Sequence, residues 1–287
     1  MENIYELIKF AVEAGLLTIE IARELQSYFH GDSDQSQEQQ VISEALMTLK
    51  EKNINSNQEK PFSDIGWLRQ FMSETQKIYD IQTQEICGRI LAHEFVFPGV
   101  TPQRMGQILS AITFKDMQKF QIISSMNIGI VTDYNNDSPA PDSQEHVMVP
   151  FNFSGATEYS EKFGICLDDV LELQAMGLLT YNSGGYDIRG YVCKHPLIYA
   201  RGETFYILWH PKDIIPIGTI VLTKAGKCLS DAINECEIVD EYAHYVRAYM
   251  EHLGIAFAEQ KRYTVCKANG HYMLTVATLN KGTQAIV

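Results

Sequence analysis

No apolar run in these 287 residues approaches the ~20 needed to cross a bilayer. The opening stretch MENIYELIKF carries acids where a secretory signal needs positive charge. The six cysteines, at 87, 166, 193, 228, 236 and 266, include no Cys-x-x-Cys, and no His-x-x-x-His accompanies them. That spacing excludes the usual zinc arrangements, and no metal or cofactor is expected. Gly-x-Gly-x-x-Gly, a phosphate loop and Gly-x-Ser-x-Gly are also missing. Basic residues are short as well, with 23 Lys and Arg against 36 Asp and Glu, a net charge of −13. The deficit is even along the chain, 11 basic against 17 acidic residues over 1–130 and 12 against 19 over 131–287. Sequence-independent nucleic-acid affinity comes from cations neutralising phosphates, so the balance disfavours a general nucleic-acid binder. The expectation is a reduced, soluble, cytoplasmic protein with no membrane partner.

What is present is ample core material, 45% hydrophobic residues, arranged first with helical period. Ile4, Leu7, Ile8, Ala11 and Val12 share a stripe that Gly15 ends, and Thr18 caps a second helix through Phe29. Gly31–Gln40 is polar and reads as a loop. Val41, Ile42, Ala45, Leu46 and Leu49 mark a third helix before the polar stretch 51–60. Asp64 or Ser63 caps a helix with Ile65, Leu68, Met72, Thr75 and Tyr79 on one face. A further helix from near Gln82 places Ile86, Ile90 and Leu91 inward and Glu85 and Arg89 outward, stopping by Pro98-Gly99. Thr101-Pro102 restarts a helix, with proline where its missing N–H costs nothing. Thr113-Phe-Lys-Asp116 is a capping-box start for one more.

The segment IGWLRQFM…QEICGRILAHEF…PGVTPQRMGQILSAITFKDMQKF, about residues 64–130, resembles a family of uncharacterised bacterial proteins classed only as a domain of unknown function. Ile90, Leu91, Ala92, Glu94, Pro98, Gly99, Arg104, Asp116 and Phe120 carry the resemblance. Cys87-Gly88 and His93 depart from it, where that family has an aromatic and a small residue, and a glycine. The resemblance implies helices followed by a winged-helix-like part, and no established activity. An association with phage-defence or toxin–antitoxin operons is implied by the resemblance alone, and no residue carries it.

Residues 131–146 form a Pro, Asn and Asp-rich linker loop whose acids do not follow a calcium-loop pattern. Val147–Phe153 reads as a strand and Glu158–Phe163 as a short helix. Leu167–Met176 reads as a longer helix with Leu167, Val170, Leu171, Leu173 and Met176 inward and Gly177 as its stop. Leu178–Tyr181 begins a strand that Asn182-Ser-Gly-Gly185 turns. Tyr191–Cys193, Leu197–Ala200, Thr204–Trp209 and Ile217–Leu222 are further strands, and Thr223 opens a helix. Helix, strands, helix is the order of a winged helix. Val239–Leu253 reads as a helix. Ala256–Lys267 and His271–Thr278 are strands flanking Asn269-Gly270, a strong hairpin signal. The fold expected is α+β, mainly α: an N-terminal helical region (1–60), a helical bundle (61–130), the linker (131–146), and a winged-helix-like α+β domain with a C-terminal helix and β-hairpin appendage (147–287).

A recognition helix that reads DNA needs Arg, Lys, Asn or Gln on its exposed face. Helix 167–176 offers Asp168, Asp169 and Glu172, with Gln174 its only base-reading type, and no basic residue occurs from 163 to 188. These four residues are therefore assigned to a protein-binding face, while Arg189, Lys194 and Arg201 are candidate phosphate contacts in the wing. His93-Glu94 lacks a second histidine four residues away. Cys193 with His195, and Cys266 with His271, lack an orienting third group. No catalytic residue is assigned. Tyr242, Tyr245, Tyr249, Tyr263 and Tyr272 enrich the C-terminal part in a residue type common at interfaces. The functional expectation is a non-catalytic regulatory or adaptor protein that binds a protein partner, which includes a second copy of itself. The alternatives are a winged-helix DNA-binding regulator or antitoxin, and a defence toxin enzyme of unknown chemistry.

Overall fold

The structure is a computed structural model. It describes residues 4–29, 37–51, 61–126, 128–131, 146–149, 163–189, 197–200, 204–209, 214–233, 256–259, 263–268 and 271–276. Two compact units interleave along the chain. One comprises Met1–Met117, Met176–Leu178 and Thr223–Asn234, and the other Gln118–Ala175, Leu179–Leu222 and Glu235–Val287. Helix exceeds strand among the described residues, an α+β arrangement that is mainly α.

The first unit is helical. Helix α1 (Ile4–Glu13) buries Leu7, Ile8 and Ala11, and Gly15, at φ 73°, lets the chain leave it. Helix α2 (Ile19–Ser27) starts as Thr18 accepts the Ile21 amide at 3.3 Å. Helix α3 (Gln37–Glu51) begins inside the stretch read as loop, because its first turn is made of good helix formers and the buried Glu38 accepts from the Gln76 side chain. Asp64 caps helix α4 (Ile65–Thr75), accepting the Trp67 amide at 2.8 Å. The face of α4 differs from the expected one. Trp67, Leu68, Phe71, Met72 and Thr75 are buried, while Tyr79 lies beyond the helix and is 79% exposed. Trp67 stacks on Phe71 with centroids 4.9 Å apart, and Phe62 meets both Trp67 and Phe95. Phe62 is placed there by backbone bonds to Leu16 and Thr18.

Helix α5 (Ile81–Val96), capped by Asp80, is the central helix of this unit. It buries ten residues around most of its circumference, and helices α3 and α6 (Met105–Ala111) pack on it. The sequence stripe of Ile86, Ile90 and Leu91 understates it, because a helix covered on several sides loses the one-sided pattern that periodicity detects. Gly88 permits the α3 crossing: a Cβ there would stand 2.5 Å from Glu44. Helix α6 starts one turn later than Thr101-Pro102 suggests, since the Thr101 amide is already taken by Glu94 at 2.8 Å. Helix α7 (Phe114–Ser125) has the expected capping box, Thr113 N–H donating to Asp116 Oδ2 and Asp116 N–H to Thr113 Oγ1, both at 3.2 Å.

The second unit carries the strands. In chain order they are β1 (Ile128–Val131), β2 (His146–Val149), β3 (Leu179–Arg189), β4 (Leu197–Ala200), β5 (Thr204–Trp209), β6 (Ile214–Leu222), β7 (Ala256–Glu259), β8 (Tyr263–Ala268) and β9 (His271–Val276). Seven of them form one sheet of order β3-β6-β2-β1-β4-β5-β7 in which every pairing is antiparallel, and β8 and β9 form a separate hairpin. Two expectations change. The span expected as one strand over 256–267 holds two with different partners, β7 pairing with the distant β5 and β8 with β9. Asn182–Gly185 does not reverse the chain. Asn182 Nδ2 donates to Gly185 O at 2.8 Å and its Oδ1 accepts from Gly184 N at 3.0 Å, with Gly185 at φ 79°, so the segment is a bulge inside β3. Helix α8 (Leu167–Ala175) precedes β3, with Gly177 at φ 78° ending it as expected. Helix α9 (Lys224–Ala232) follows β6 and belongs to the helical unit. The helices expected at 158–163 and 239–253, the strands expected at 150–153 and 191–193, and the linker from 132 to 145 lie outside the described residues, apart from Phe163.

Candidate functional site

Helix α8 begins at a small polar cluster. Cys166 stands at its cap position, and both its backbone N–H and its thiol donate to Asp169 Oδ2, at 2.9 and 3.1 Å. The pattern Cys-x-x-Asp thus acts as a capping box, with the acid of the first turn reaching back to the cap residue. Lys119 of α7 lies 3.3 Å from the same carboxylate and also donates to Gly164 O. Burial pushes the Asp169 carboxyl up, but the Cys166 amide and thiol and the Lys119 ammonium outweigh it and hold it below the usual range. Asp169 is 6% exposed and therefore does not belong to the protein-binding face assigned from the sequence. Its charge is spent inside the unit.

The remaining assigned residues of α8 divide. Asp168 and Glu172 are exposed, and Leu171, read as inward, is instead 42% exposed between them. Positions 168, 171, 172 and 175 form one outward stripe at helical spacing. Val170 and Leu173 hold the opposite side of the helix in the core. Gln174 is exposed too, but its side-chain oxygen accepts the Tyr181 N–H at 2.5 Å and so is engaged with β3. Arg189 ends β3 opposite Ile214, while Lys194 and Arg201 lie outside the described residues.

A second constellation, missed in the sequence as a site, lies within the helical unit. Glu94, 2% exposed at the end of α5, accepts the amides of Gly99 at 2.5 Å and Thr101 at 2.8 Å. Lys224 of α9 donates to Gly99 O at 2.9 Å, and the Cys228 thiol approaches the Thr101 hydroxyl at 3.8 Å. Burial raises the Glu94 carboxyl above its ordinary value, opposed by the two amides, the Thr101 hydroxyl and Lys224. Burial likewise pushes the Cys228 thiol up to about 12 and the Cys87 thiol higher still. Neither thiol is a nucleophile near neutral pH.

The same helix α9 grips the turn after α8. Thr223 N–H donates to Leu178 O at 3.0 Å, and its hydroxyl donates to Gly177 O at 2.6 Å while accepting the Gly226 amide at 3.1 Å. Arg104 donates to Gly177 O at 3.2 Å, its guanidinium lying against that glycine. Gly226 is required by contact: a Cβ there would stand 1.9 Å from Leu178 O. At the other end of α9, Arg89 bonds Ala232 O at 2.8 Å as well as pairing with Glu85, so it is half-buried rather than simply outward. The Leu-Thr-x-Ala-Gly pattern and Arg104 were the available signals. They mark a contact within the helical unit that is held by backbone carbonyls.

The catalytic candidates weighed in the sequence are described only in part. His93 is half-buried with its ring 5.0 Å from Phe97. Cys193 and His195 lie outside the described residues. Cys266 stands opposite Met273 and His271 opposite Ala268, so these two are not directly paired across the hairpin. Among the described residues no group of three or more His, Cys, Asp or Glu is placed to hold a metal. No helix described is long and apolar enough to cross a membrane.

The chain is therefore an α+β protein whose described polar clusters hold backbone and cap helices. Comparison with known families gives its membership: residues 29–247 match the model of the family described as Protein of unknown function (DUF2806), and the chain belongs to that family. The match extends well beyond the helical segment that suggested it. Neither the curated proteins nor the solved structures contain a match.

Proposed function

We propose that the chain is a non-catalytic regulatory or adaptor protein that works by binding another protein through the outer face of α8. The observation that carries this reading is the stripe of Asp168, Leu171 and Glu172, exposed on a helix whose other side is fixed in the core. Two acids around one exposed leucine suit a partner segment that is basic and apolar in alternation, and they repel a phosphate backbone. The order α8, β3, β6, α9 supports a winged-helix-like reading, with β4 and β5 inserted between the two wing strands. Winged helices serve as docking modules as well as DNA readers, and the acidic face favours docking. The proposal places the protein inside the cell, and the suggested link to anti-phage defence belongs to it. The test is co-purification with the native chain and with D168K/E172K: a partner retained by the first and lost from the second is expected, and identical retention refutes the reading.

The second reading, a DNA-binding regulator or antitoxin, rests on Arg189, Lys194 and Arg201. Replacing Arg189 and Lys194 with Glu abolishes a gel shift if that reading holds, and an unchanged shift removes it. A toxin built on His93, Cys193 or His195 requires toxicity to fall when each is changed to Ala.

A further inference from the structure

We draw no further inference here: the strongest candidate, the exposed apolar side chains of Tyr79, Ile81 and Phe114 at the α4–α5 and α6–α7 turns of the helical unit, carries nothing because nothing among the described residues shows what covers them.

Discussion

Helices α8 and α9 flank the β3–β6 pair in sequence and are the same length, yet they are made differently. Helix α9 buries Ala225, Gly226, Cys228, Leu229, Ser230 and Ala232, with Gly226 where the Leu178 carbonyl comes close. Helix α8 buries only Asp169, Val170 and Leu173 and leaves charges and a leucine outside. One helix is held from several directions by Thr101, Arg89 and the Leu178 carbonyl. The other is fixed along one side and at one end. Small residues and side chain-to-backbone bonds mark the helix that is locked within its own unit. A sparse buried stripe under an acidic outer face marks the helix with surface to offer.

Substitutions should break this contrast in a definite order. G226A drives a methyl into Leu178 O and should cost about 3 kcal/mol, read as a fall in the chemical-denaturation midpoint. E94Q keeps one accepting oxygen but turns its NH2 towards the other backbone donor, and should cost roughly 2 kcal/mol at neutral pH. Its pH dependence has a definite sign. Because the folded Glu94 pKa is raised, the native state binds more protons than the unfolded chain between about 4.3 and the raised value. Ionised Glu94 therefore supports the fold less above that window than protonated Glu94 does below it, and stability rises as pH falls through it. E94Q should flatten this part of the stability–pH curve.

On the α8 side, D169A removes the cap partner of Cys166 and strands Lys119, with an expected loss of about 1.5 kcal/mol. The sign here is opposite to that of Glu94. The folded Asp169 pKa lies below the unfolded ~3.9, so its stabilisation is fully present above about pH 4 and fades as pH falls through the folded value. Stability measured from pH 6 to pH 2 should show a weaker acid loss in D169A than in the native chain. Smallest of all, D168K/E172K should leave stability within about 0.5 kcal/mol, since both side chains are exposed. A larger loss would place these acids in the structural class with Asp169.

Local chemistry was legible where the answer was local. Thr18, Asp64, Thr113 with Asp116, and Thr223 cap as their side chains suggest, and Leu197–Ala200 and Thr204–Trp209 are strands over the expected spans. The β8–β9 pairing follows from Asn269-Gly270, although that turn lies outside the described residues. Tertiary contacts decided the rest. Helix α5 lost its one-sided pattern because it is covered nearly all round, and β7 joins β5 across some fifty residues that no local pattern encodes. Asp169 resembles its neighbour Asp168 in sequence and differs in role only because Lys119 and Cys166 face it. On α8 the sequence pattern alone misplaced two residues, since Asp169 is buried and Leu171 is exposed.

The most direct measurement is quantitative mass spectrometry of the chains that co-purify with the native protein and with D168K/E172K at equal expression. The account predicts a basic protein partner retained in stoichiometric amount by the native chain and lost from the variant, with no nucleic acid in either eluate. Identical partner sets, or duplex DNA bound by the native chain with steep salt dependence, would contradict it.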